Sequence, residues 1–197
     1  MKQPGTRERL LAAAEQIVVM HGVTGLSVRK VGEQAGVNPT LVTYHFKTIE
    51  NLLAELARQN LDPILAEWDL IAVGMDFHEI LSRWLEPMST AARFTDRGRA
   101  LVVVDELAAH GEGAPRNLVL ASMEAFVLRL RESIAPHCPH LSAHELRARL
   151  RFISGAALGP PPRTHGAHSP PDGRALDDPA YLIAFARAAL AGQPADP

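Results

Sequence analysis

The sequence predicts an all-α protein, with a three-helix helix-turn-helix domain at the N-terminus and a larger helical domain after it. Three observations carry that prediction. Apolar residues recur at helical spacing along almost the whole chain, and no stretch alternates apolar and polar long enough to make a strand. Aromatic residues are only 5% of the 197 positions. Capping residues and glycines punctuate the first 50 residues into three short helices and the start of a fourth.

The elements follow in order. Thr6 is placed to cap a first helix whose Leu10, Ala13, Ala14, Ile17 and Val18 form one apolar stripe, closing at His21-Gly22. Ser27 caps a second, short helix with Val28, Val31 and Ala35 inward, stopped by Gly36. Asn38-Pro39 opens a third, since Asn suits the N-cap and Pro the first helical position. Val42 and Phe46 form its inner face, with Phe46 in the core. Thr48 caps a fourth helix, buried through Leu52, Leu53, Leu56 and Leu61.

Beyond about Asp62 the rhythm loosens. Helices are expected near 63–74, 77–93, 97–110, 115–135, 142–158 and 178–191, with breaks at Gly111–Pro115 and at Pro136 and Pro139. Residues 159–173 hold five prolines and are expected to form an exposed, mobile loop. No internal repeat is visible.

Composition narrows the class. Hydrophobic residues make up 47% and charged residues 21%, ordinary values for a globular protein with a real core. The single cysteine, Cys138, cannot form an internal disulfide, and no apolar run approaches the roughly 20 residues of a membrane span. The N-terminus lacks a basic-then-apolar leader pattern, so a cytoplasmic location is expected. Net charge is −2. Residues 1–50 carry six basic groups against four acidic ones, a mild polarity that permits DNA binding at this end without proving it.

A helix-turn-helix makes specific demands. Its turn needs a glycine where φ is positive, here Gly36, and an apolar residue to pin the turn, here Val37. Its last helix must offer small or polar side chains outward so that its N-terminal end can lie against base edges. Pro39, Thr40, Leu41, Thr43, Tyr44 and His45 supply such a surface.

The order and spacing of Thr6-Arg7-Glu8-Arg9-Leu10-Leu11-Ala12-Ala13-Ala14, His21-Gly22, the run Ser27–Val37, Tyr44-His45-Phe46-Lys47-Thr48 and Glu50-Asn51-Leu52-Leu53 resemble the TetR family of transcriptional regulators. The resemblance spans roughly residues 6–56. It implies a homodimer with an N-terminal DNA-binding domain (residues 1–47) and a C-terminal effector-binding and dimerisation domain (48–197). It also implies a small-molecule effector that alters binding to a double-stranded DNA operator.

By the same resemblance, Ser27 and Arg29 touch phosphates, and Pro39, Thr40 and Leu41 read base edges. Leu41 would pack against a thymine methyl. Thr43, Tyr44 and His45 bond backbone phosphates, and Lys47 adds a charged contact. Tyr44 has a second reading as an aromatic at the core edge, and Arg29 and Lys30 as a solvated face. Two departures stand out. Ile49 occupies a position where the family commonly has lysine, which would cost one phosphate contact and about 0.9 in salt slope. Val19-Met20 stand where the family is often more polar.

For the effector, Trp84, Met88, Met123 and Phe126 are the candidate pocket residues, since methionine and aromatic side chains suit an apolar site. A helical core stripe would use the same residue types. Asp105, Glu106 and His110 form a polar cluster, either orienting a polar ligand or making an ordinary helix-face pair. His137-Cys138-Pro139-His140 with His144 falls short of a defined metal motif, and no metal, cofactor or catalytic residue is expected. The last two helices carry Leu146, Leu150, Ile153 and Ala157, then Leu182, Ile183, Phe185, Ala186 and Leu190. The resemblance assigns these helices to a four-helix dimer interface.

The competing readings are an enzyme and a helical ligand-binding or interaction protein that has lost specific DNA binding. No nucleophile elbow, glycine-rich phosphate loop or paired carboxylates favour the first. Ile49 and the acidic balance bear on the second.

Overall fold

The computed structural model describes residues 4–88, 96–158 and 178–193. Among them are nine α-helices and no strand: α1 (Thr6–His21), α2 (Val28–Ala35), α3 (Thr40–Phe46), α4 (Ile49–Trp68), α5 (Phe77–Leu85), α6 (Asp96–His110), α7 (Gly113–Ile134), α8 (Ala143–Leu158) and α9 (Pro179–Ala191). The chain groups into two compact units, one of residues up to Asp62 with Ala100–Ser122, the other of Pro63–Arg99 with Met123 onward. The proline-rich stretch 159–173 lies outside the described residues.

The first unit is built on the stripe expected of α1. Leu10, Ala13, Ala14, Ile17 and Val18 are buried with Val31 of α2, Val42 and Phe46 of α3, and Leu52, Leu53, Leu56 and Leu61 of α4. Each large aliphatic or aromatic side chain among them contributes about 1.5–3 kcal/mol by leaving water. The unit is larger than the N-terminal 47 residues, because α4 and the α6–α7 corner are packed into it. Two carboxylates tie that corner down. Glu106 of α6 accepts the N–H of Val23 at 3.3 Å, and Glu50 of α4 accepts the N–H of Ala114 at 3.0 Å.

In the second unit, Trp68 of α4 stacks on Phe126 of α7, ring centroids 3.9 Å apart and planes 15° from parallel. Its indole N–H reaches the carbonyl of Trp84 at 3.3 Å. Ile80, Leu81, Trp84 and Leu85 of α5 are fully buried. α8 and α9 are joined through Arg149, whose guanidinium donates to the carbonyls of Ala189 (2.6 Å), Gly192 (2.8 Å) and Gln193 (2.6 Å), closing the C-terminal end of α9.

Several expectations change. Gly5, not Thr6, stands at the N-cap of α1, and its N–H is taken by the Glu8 carboxylate at 2.9 Å. A threonine can occupy the first helical turn when the carboxylate three residues on satisfies the cap. The helix expected near 63–74 is not separate: α4 runs through Pro63 to Trp68. Burial of Leu61, Ile64 and Trp68 along one face outweighs the hydrogen bond that proline cannot make. α5 stops at Leu85 and gives way to a single 3-10 turn, Glu86–Met88, holding Pro87; 89–93 lie outside the described residues.

The apolar residues of α8 and α9 also change role. Leu146, Leu150, Ile153, Ala157, Leu182, Ile183, Ala186 and Leu190 are buried within the chain itself. They are its core, not a free face. Among the described side chains of these helices, Phe152, Tyr181 and Phe185 are large, apolar and exposed.

Candidate nucleic-acid interface

The α2–α3 turn has the geometry its sequence asks for. Ser27 accepts the N–H of Lys30 at 3.3 Å and starts α2. Gly36 ends it in the left-handed region (φ 64°, ψ 37°), and the N–H of Val37 returns to the Gly32 carbonyl at 2.9 Å. That pair of features closes the helix as glycine closures do. The Asn38 carboxamide oxygen then accepts the Thr40 N–H at 2.9 Å and the Thr40 hydroxyl at 2.8 Å, bonding the first turn of α3, whose N-cap falls on Pro39 and not on Asn38 as expected. α2 and α3 approach closely at Gly32, where a Cβ would lie 2.6 Å from Pro39 Cα.

One anchor of this turn escaped the sequence reading. Arg9 of α1 donates to the carbonyls of Ala35 (2.7 Å) and Gly36 (3.4 Å), placing a positive charge where the α2 dipole ends negative. Nothing in the local pattern marks Arg9 off from a solvated helix arginine, because its nearer partner is 26 residues away in sequence.

α3 is two-faced. Val42 and Phe46 point into the core, while Thr40, Thr43, Tyr44 and Lys47 are exposed, and Pro39, Leu41 and His45 are half-buried beside them. Tyr44 keeps 70% of its surface, which sets aside its reading as a core-edge aromatic. Its ring meets His45 edge-on at 5.1 Å. Lys47 leaves α3 with φ 69°, and its ammonium lies 5.9 Å from the Tyr44 ring centroid and 3.4 Å from the Tyr44 carbonyl. Next, Thr48 accepts the N–H of Asn51 at 3.1 Å, and the Asn51 amide donates back to the Phe46 carbonyl at 3.0 Å. Asn51 therefore holds the end of α3 to the start of α4, a role its type did not announce.

Ser27 is half-buried and engaged as a cap, and Arg29 is exposed but paired with Glu33 at 2.7 Å. That bond, with the attraction of the same carboxylate, pushes the Arg29 guanidinium above its ordinary range. A phosphate would have to exchange with Glu33 to gain this arginine. Ile49 is half-buried at the start of α4.

The candidate effector residues all fall in the second unit. Trp84, Met88 and Phe126 are buried and Met123 is half-buried. Two polar atoms in the same unit, the Trp84 indole N–H and the Ser133 hydroxyl, have no hydrogen-bond partner among the described residues. Of the polar cluster on α6, Asp105 is exposed, and Glu106 serves the backbone at Val23 and His110, 3.3 Å away. His137 donates to the Met75 carbonyl at 3.0 Å and His140 to the Gly192 carbonyl at 3.2 Å. Those bonds occupy the two imidazoles that flank buried Cys138. Among the described residues no group of three or more His, Cys, Asp or Glu could hold a metal ion.

Residues 10–56 match the family model for bacterial regulatory proteins, tetR family. That match falls on the helix-turn-helix of this chain, α1 to the start of α4. The whole chain has the fold of solved regulators at low identity. A TetR-family regulator, PfmR from Thermus thermophilus, is 18% identical with a TM-score of 0.68, over 98% of this chain and 100% of that one. The multidrug-binding protein EbrR, solved with malachite green, is 23% identical with a TM-score of 0.62, over 94% and 98% of the two chains. A transcriptional regulator from Rhodococcus sp. Rha1 is 21% identical with a TM-score of 0.60, over 94% of each. No curated protein matches the sequence. No helix among the described residues is long and apolar enough to cross a membrane.

Proposed function

We propose that this chain is a ligand-responsive transcriptional repressor that binds a pseudo-palindromic operator as a homodimer and is released by a small-molecule effector. The observation that carries the reading is the outer face of α3. A 70% exposed tyrosine, two exposed threonines and Lys47 stand on a seven-residue helix and its end, with the inner face fixed by Val42 and Phe46. Exposing a tyrosine to that extent gains nothing for the fold, whereas a phenol and an ammonium side by side suit phosphate oxygens.

Pro39, Thr40 and Leu41 are the base-reading residues in this proposal, with Thr43, Tyr44, His45, Lys47, Ser27 and Arg29 on the backbone. The homodimer uses the exposed apolar residues Phe152, Tyr181 and Phe185 of α8 and α9. Two-fold symmetry would then set two recognition helices about 34–36 Å apart. The effector occupies the second unit near Trp84, Met88, Met123 and Phe126, where the Trp84 N–H, unpartnered among the described residues, offers a donor. Release follows from a shift of α4 that changes the separation of the two recognition helices. An effector acts only by its differential affinity for the two states.

The test is fluorescence anisotropy at about 150 mM salt, where phosphate-only binding is weak, on the DNA flanking the coding region and on a shuffled control. Tight binding to the native fragment alone, lost when Tyr44→Ala and Lys47→Ala are combined, bears the proposal out. Equal weak binding to both DNAs favours a helical ligand-binding protein that has lost specific recognition.

A further inference from the structure

A groove between α7 and α8 combines apolar walls with three arginines that form no ion pair with a described residue. It encloses about 610 Å³, within the roughly 300–1,000 Å³ of small-molecule sites. Phe126, Val127, Leu128, Leu130 and Leu150 give it an apolar lining, with Val127 and Leu128 nearly half exposed. Phe126 is its aromatic, with one face already stacked on Trp68. Arg131 stands on the α7 side and Arg147 and Arg151 on the α8 side, with Glu124 the one carboxylate in the lining.

The arginines are the informative part. Arg147 and Arg151 are four residues apart on α8, so their guanidiniums share a face and repel. Three other arginines of this unit are matched by carboxylates, Arg83 by Glu79, Arg129 by Asp69 and Arg149 by Glu145, and Arg187 lies over the Phe77 ring. Among the described residues, the three groove arginines have no ion-pair or hydrogen-bond partner. A second copy meeting this one through α8 and α9 does not supply the missing charge either. Those helices carry Arg147, Arg149, Arg151 and Arg187 against one acid, Glu145, which Arg149 already holds.

We infer that the α7–α8 groove binds an amphipathic organic anion, its carboxylate or phosphate head held by Arg147 and Arg151 with Arg131 opposite, and its hydrocarbon chain along Leu128, Leu130 and Leu150. Arginine forks match both head groups bidentately, and each buried methylene of the chain adds to affinity. The half-buried Ser154 hydroxyl on the α8 wall is spent on the Leu150 carbonyl at 2.9 Å, so recognition falls to the guanidiniums. This site shares Phe126 with the proposed effector residues but not Trp84, Met88 or Met123, and it does not depend on the DNA-binding proposal.

The test is isothermal titration of the full chain with decanoate, decyl phosphate, decanol and acetate, with size-exclusion chromatography of every variant. Decanoate or decyl phosphate is expected to bind, the tighter of the two naming the head group. Decanol should bind at least tenfold more weakly, and acetate not measurably. Arg147→Gln with Arg151→Gln should weaken the anion at least tenfold and Arg131→Gln several-fold. Arg58→Gln, on α4 outside the groove, should leave it unchanged. Because the groove arginines bond to no described residue, the variants should keep the wild-type melting temperature. Decanol binding as tightly as the anions, or anion binding unchanged in the arginine variants, overturns the site. Loss of the oligomer in Arg147→Gln with Arg151→Gln also overturns it, by making the groove a contact between copies.

Discussion

The carboxylate of Glu50, in the first turn of α4, accepts the N–H of Ala114 at 3.0 Å and sits where a side chain at Gly113 would begin. One acid thus caps the N-terminal end of α7 from the helix that follows α3. Gly113 has φ 57°, open to glycine and costly to other residues by about 1–2 kcal/mol. Gly113→Ala is expected to destabilise by at least that much, since it also displaces Glu50. Glu50→Ala should lose about 1 kcal/mol, the usual worth of a helix N-terminal cap. Urea unfolding of the two variants and their double measures both terms and their coupling.

The approach of α2 to α3 makes a second prediction. At Gly32 a Cβ would meet Pro39 backbone and ring atoms at 2.6–2.9 Å, and neither can rotate away. Gly32→Ala should cost about 1–3 kcal/mol, as overpacking does, and it tilts α3. Operator affinity should therefore fall further than stability alone explains, read by anisotropy at a temperature where the variant is fully folded.

α4 offers a stabilising substitution. Pro63 is exposed in the helix interior and cannot donate to the Gln59 carbonyl. Pro63→Ala restores that bond and removes a residue costing up to about 3 kcal/mol in helix propensity. Thermal melting should rise, and a fall would mean that α4 depends on the shape proline gives it.

The pH dependence of α5 has a definite sign. Asp76 caps that helix, accepting the N–H of His78 at 2.8 Å and of Glu79 at 3.2 Å. The Glu79 and His78 backbone bonds hold its carboxyl below the ordinary 3.8. A carboxylate depressed in the folded state stabilises fully above its unfolded value and loses that contribution as pH falls through the folded one. Asp76→Ala should therefore melt below wild type by a constant gap at neutral pH, closing below pH 3.8. A gap that persists at about pH 2, below the usual range of carboxylates, would place the effect in packing.

Much of this was legible in the sequence for local reasons. Ser27 and Thr48 each cap the helix assigned to them and Asn38 bonds the first turn of α3, because such a bond needs only a side chain and an N–H two or three residues on. Gly36 and the inward Val42 and Phe46 follow from one turn and one periodicity. What was not legible depended on distant partners. Pro63 looks like a helix stop until Ile64 and Trp68 are seen to be buried. The stripe Leu146–Ala157 looks like a free dimer face until it is found spent on the chain's own core. Arg9, Glu50 and Glu106 act across 26 to 83 residues, at a range no spacing rule reaches.

The most direct test of the central claim is selection of duplexes from a randomised pool by the purified full-length protein, with the Tyr44→Ala, Lys47→Ala double variant in parallel. An exposed recognition helix on a two-fold dimer predicts one enriched motif with two inverted half-sites, centres about 10–10.5 base pairs or a multiple apart, absent from the variant's pool. A pool that stays random, or a motif that the variant enriches equally, would contradict the assignment of α3 as the DNA-reading element.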